Sequence, residues 1–238
     1  MTPTPPRRRS VKERLQNPDP ADAEAPVAVD DEDVADDLAG DEGEEGIRLA
    51  DPLFGYLVAV ALSLGLTPLA AETRYAIVWT LLLIAGVGYY LFSDRARPED
   101  AQPGNLAWGV GFGLLIGVPV LLLLTPALAV TSHQLFPEMS DASTYLALVF
   151  AIPVGETLFF RGALQETRGF RFAAVAASVW SVLLFVPNRL LAEAIAISVT
   201  LVGLSFAYTY VRQRNGLAAA WACQVVINVC LLFAPRLA

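Results

Sequence analysis

A chain of 238 residues that is 55% hydrophobic and 17% charged, with a mean hydropathy of +0.51, is too apolar for an ordinary soluble domain and reads as a membrane protein. Its formal charge of −8 belongs to one end. Residues 1–51 hold 15 of the 24 acids and 6 of the 16 bases, a net of −9, whereas the remainder nets +1. No nucleic-acid partner is expected; the expected partner is the lipid bilayer.

Residues 1–47 open M-T-P-T-P-P-R-R-R-S and continue through D-D-E-D-V-A-D-D. Prolines, like-charge blocks and low hydrophobicity leave too little apolar surface to offset the entropy of ordering, so a disordered acidic tail is expected. It does not read as a signal peptide, because no apolar core follows the early arginines.

From Leu53 onward, apolar runs long enough to cross a hydrocarbon core of ~30 Å recur between short polar breaks. The expected spans are Leu53 to Ala70, Tyr75 to Phe92, Asn105 to Val130, Thr144 to Leu164, Phe172 to Pro187, Leu190 to Val211 and Gly216 to Phe233. These make an all-α, polytopic bundle of about seven transmembrane helices over residues 53–233. Helices satisfy their own backbone polar groups in lipid, and the runs are too long for barrel strands. Arg48, Arg95, Arg97, Arg168, Arg171, Arg212 and Arg214 fall on one side, against Arg74, Arg189 and Arg236 on the other. The positive-inside rule then places the amino terminus in the cytoplasm of a cell whose surface membrane the protein crosses several times.

The third run carries Gly109, Gly113 and Gly117 at four-residue spacing, which reads as a close helix-packing face, with a kink expected near Pro119. Cys223 and Cys230 stand seven residues apart on one helix, about 10 Å along it, too far for a disulfide. They read as buried apolar residues.

The fourth run holds the charges that need explaining: V-G-E-T-L-F-F-R-G-A-L-Q, residues 154 to 165. By the rise of a helix, Glu156 lies about 12 Å from the cytoplasmic boundary, and Arg161 about 7.5 Å further along reaches the headgroups and can snorkel. Gln224 reaches the same depth on the last run, with Asn228 one turn deeper. A carboxylate and two amides at one level in a bilayer form a site by default, since each would otherwise lack a partner. Pro153 frees a backbone carbonyl near Val149 and suggests a cavity or protein wall there. The bland alternative is a neutral Glu156 bonded to Gln224 or Asn228 as packing glue.

The stretch G-E-T-L-F-F-R-G resembles the first motif of the CPBP family, intramembrane proteases that include CAAX prenyl proteases and bacteriocin self-immunity proteins. Glu156, Arg161 and Gly162 match that motif, while Thr157 stands where a second glutamate belongs. S-V-L-L-F-V-P-N-R resembles the second motif, with Phe185 in place and Arg189 at its histidine. The third motif ends in Q-V-V-I-N, where Asn228 matches and Gln224 replaces histidine. The resemblance covers about residues 146–231. It implies a CAAX protease-like hydrolase in which Glu156 activates water and Asn228, with Gln224, donates to the oxyanion. Arg189 cannot take a histidine's part, since a guanidinium stays protonated; its local alternative is pairing with Glu193. His133, the sole histidine, falls on an expected outer loop.

Three readings stay open: an endopeptidase with reduced or altered activity; an inactive member that binds a membrane protein, a peptide (prenylated peptides being one family substrate) or a lipid; and a structural or transport-like protein. One glutamate and two amides make a poor zinc set, so neither metal nor other cofactor is expected.

Overall fold

The computed structural model describes residues 51–92, 103–137, 139–187 and 190–237. The expected tail, residues 1–47, and Arg189 with its motif position and its pairing to Glu193 lie outside the described residues.

The fold is all helical. Helix α1 (Pro52–Gly65) opens on Asp51, whose carboxylate accepts from the Leu53 amide, with a proline in the first turn where its missing donor costs nothing. Helix α2 (Ala71–Phe92) follows, then α3 (Pro103–Leu135). A long rod then begins with α4 (Asp141–Leu146), widens into a π turn (Ala147–Ala151), narrows in α5 (Ile152–Glu156) and widens again (Thr157–Leu164) before α6 (Gln165–Phe185). Helix α7 (Leu191–Asn215) leads through Gly216 into α8 (Leu217–Asn228), a last π turn (Val229–Phe233) and a 3₁₀ turn (Ala234–Leu237).

Among the described residues, five helical segments are long and apolar enough to cross a membrane: 71–92, 103–135, 141–185, 191–215 and 217–237. Two differences separate these from the seven spans expected. Helix α1 has only 14 residues, about 21 Å at 1.5 Å per residue. The 141–185 segment, 45 residues long, doubles back at Gly169, where φ is 82° and ψ 172°. Only glycine adopts that conformation without strain. Phe160 and Trp180, on opposite sides of the reversal, meet with ring centroids 5.2 Å apart. Arg168, beside the reversal, pairs with Asp51 and ties it to the start of α1.

Helix α3 packs along α8 through its glycines. A Cβ on Gly109 would come within 2.2 Å of the Ala219 carbonyl oxygen, on Gly113 within 2.8 Å of Val226 and on Gly117 within 2.9 Å of Cys230. Backbone contact of this kind is what drives helix pairing where lipid removes the hydrophobic difference. The opposite side of α3 faces outward, with Leu122 and Leu123 76% and 80% exposed. The expected kink near Pro119 falls instead at Leu124 (φ −125°, ψ 15°), two residues before Pro126, in the turn whose hydrogen bond that second proline removes. His133 sits in the last turn of α3 rather than on a loop, and its side chain is exposed.

Ser63, Thr125, Ser178 and Thr209 each donate to the carbonyl four residues earlier, so these hydroxyls are satisfied within their own helices. Both cysteines are buried and free. At the far end, Arg236 donates to Asp141 and to the Phe136 and Met139 carbonyls, closing the carboxyl-terminal turn onto the α3–α4 connection.

Candidate functional site

The site lies where the second π turn crosses α8. In an α-helix, residues five apart point about 140° away from each other. A π turn bonds five residues back, so residues five apart come into line. The widened turn at Thr157–Leu164 therefore carries Arg161 under Glu156. Arg161 does not snorkel: it is 1% exposed, and its Nη1 lies 3.5 Å from Glu156 Oε2.

Gln224 of α8 bridges the two. Its Nε2 donates to Glu156 Oε2 at 2.6 Å, and its Oε1 accepts from Arg161 Nη1 at 2.9 Å and from the Thr157 hydroxyl at 3.4 Å. The shared depth of Glu156 and Gln224 read from the sequence is thus a direct contact. Glu156, Thr157 and Gln224 are 7%, 2% and 2% exposed, so the cluster is enclosed. The guanidinium lies over the Tyr208 ring of α7, 4.9 Å from its centroid, and the Trp79 indole of α2 lies near the carboxylate. Tyr208 and Trp79 escaped the sequence reading, since an aromatic in an apolar helix carries no sign of which polar group it faces.

Helix α7 is fixed to the π turn by polar contacts. Arg212 Nε donates to the Arg161 carbonyl at 3.1 Å, Arg212 Nη2 reaches Glu166 at 3.4 Å, and Gln165 donates to the Thr209 carbonyl at 3.3 Å. Gly162 lies against Tyr90, whose hydroxyl would fall 2.4 Å from an added Cβ. The glycine after Arg161 thus serves a close approach between α2 and the rod.

Asn228 takes a different place from the one expected. Its Nδ2 donates to the Leu148 carbonyl at 3.0 Å. In the first π turn Ile152 bonds to the Ala147 carbonyl, and the next bond in that register would run from residue 153 to Leu148. Residue 153 is proline and has no N–H, so Asn228 supplies the missing donor. The freed carbonyl is Leu148 rather than Val149, because the turn is π rather than α. Phe185, the remaining motif position, belongs to an aromatic cluster, 5.3 Å from Tyr75 and 6.2 Å from Trp79 by ring centroid.

Around one carboxylate the donors are an amide and a guanidinium. Among the described residues no group of three or more histidine, cysteine, aspartate or glutamate side chains gathers as a metal site would require.

Residues 138–230 match the family described as type II CAAX prenyl endopeptidase Rce1-like. An Rce1-like region therefore occupies this part of the chain. It takes in the rod, the reversal at Gly169, α7 and α8, and so includes every residue of the Glu156 cluster except Trp79. No curated protein and no solved structure matches the chain. The long apolar helices mark a multi-pass membrane protein, and residues 138–230 of it form the Rce1-like region.

Proposed function

We propose that the Rce1-like region of this protein no longer hydrolyses peptide bonds and instead binds a membrane protein, a peptide or a lipid within the bundle. The carrying observation is the closed cluster: Glu156 Oε2 is engaged by the Gln224 amide and by Arg161, and Gln224 Oε1 by Arg161 and Thr157, all enclosed. Water activation needs a carboxylate free to take a proton and a second group to relay it. Thr157 cannot act as a second carboxylate, and the Gln224 amide donates a hydrogen bond but does not exchange a proton at neutral pH. Asn228, committed to Leu148, is not aimed at an oxyanion.

The test is incubation of the purified protein in lipid nanodiscs with libraries of transmembrane and farnesylated peptides, beside the Glu156→Ala and Glu156→Gln variants and an active CAAX protease as control. The expected result is no cleavage by any form while the control cuts. Cleavage by the parent chain that both variants abolish overturns the proposal and makes Glu156 the base of a working endopeptidase.

The arginine distribution supports a cell-surface membrane with the amino terminus in the cytoplasm. Reporter fusions at the amino terminus and after residue 100 should both report the cytoplasmic side.

A further inference from the structure

At the start of α2, a little over one turn before Trp79, a cleft of about 270 Å³ is lined by Thr67, Ala71, Arg74, Tyr75, Gln134 and Phe185, among others, and among the described residues by no acid. Arg74 is 6% exposed. Its Nη2 donates to the Leu184 carbonyl at 2.7 Å and its plane lies 5.3 Å from the Tyr75 ring centroid, but Nε is buried without a partner. Among the described residues no carboxylate pairs with it. A buried guanidinium is costly unless an anion faces it, and one carbonyl with one aromatic face supplies no negative charge.

The cleft also contains the start of α2. Ala71 is the first residue of that helix, so the positive end of the helix dipole lies beside the guanidinium, with Glu72, the acid of that first turn, outside the cleft lining. Thr67 also lines the wall, its hydroxyl donating to the Leu64 carbonyl. A planar guanidinium with an unpartnered Nε beside a helix amino terminus suits an anion such as a phosphate group.

We infer that this cleft binds a phosphate-bearing anion, as a lipid headgroup or as free phosphate, through Arg74 and the amino-terminal turn of α2. The site is separate from the Glu156 cluster and does not depend on whether that cluster cuts peptides.

Native mass spectrometry of the full chain in a non-ionic detergent, titrated with dioleoyl phosphatidylglycerol in one arm and inorganic phosphate in the other, tests this. Saturable binding of one molecule is expected. Binding in the lipid arm alone assigns the site to a headgroup, and binding in both arms to the phosphate group itself. Arg74→Gln should weaken binding tenfold or more. If Arg74→Gln fails to fold, Ala71→Asp serves instead, since an acid in the first turn favours the helix while repelling an anion; it should weaken binding to a similar degree. Absence of saturable binding in both arms, or affinity unchanged in a folded variant, overturns the inference.

Discussion

Gln224 and Glu156 meet at 2.6 Å across α8 and the rod, with the same amide accepting from Arg161 through its oxygen. One neutral side chain thus joins an acid and a base that would otherwise share only a 3.5 Å contact. The pair is buried on all sides, and its effect on stability depends on what replaces it.

Removing one partner leaves the other charged and enclosed. Glu156→Leu and Arg161→Met should each destabilise the protein by about 3 kcal/mol, whereas the double variant should return to within about 1 kcal/mol of the parent, since well-packed apolar side chains replace a buried pair at little cost. Unfolding in mixed detergent micelles, followed by tryptophan fluorescence, measures the cycle. Additive losses would refute the coupling.

Asn228 and Pro153 should be coupled in the same way. Asn228→Ala leaves the Leu148 carbonyl unsatisfied, a cost of about 1–3 kcal/mol. Pro153→Ala restores a backbone donor at that point, so Asn228→Ala should cost less in the Pro153→Ala background. Equal costs in both backgrounds would show that the proline does not create the need for the amide.

The glycines of α3 divide by what they face. Gly109→Ala drives a Cβ into the Ala219 backbone and should cost at least about 1–3 kcal/mol by overpacking. Gly111→Ala meets nothing within 4 Å and should be neutral or stabilising by up to about 1 kcal/mol from helix propensity. Thermal unfolding of both variants checks the contrast.

Gly169 carries the reversal. Gly169→Ala places a Cβ on a backbone at φ 82°, ψ 172°, a strain of about 1–3 kcal/mol, with open space around it. Destabilisation should therefore come from the backbone alone, and Gly169→Asn should not rescue it because that conformation lies outside the ordinary left-handed well. A stable Gly169→Ala protein with unchanged tryptophan emission would show that the turn tolerates other geometries.

Much of this was legible in one dimension. Apolar content and run length gave the membrane class, and the rise per residue put Glu156 and Gln224 at one depth, where they touch. The spacing of Gly109, Gly113 and Gly117 marked the face that packs on α8. Rise and spacing are local quantities, and a regular helix transmits them without loss.

Facing is different. Each extra residue in a turn rotates all that follows by about 100°, so a single π turn changes which side chains look inward. That rotation brought Arg161 to Glu156 instead of to the headgroups and shifted the freed carbonyl from Val149 to Leu148, where Asn228 meets it. The reversal at Gly169 and the bend at Leu124 depend likewise on neighbouring helices that fix one backbone conformation among several the sequence allows. The sequence alone determined which polar residues lie on apolar helices and at what height along them; only the packed structure decided which of them meet, because partner choice depends on helix rotation, and rotation is set by the neighbours.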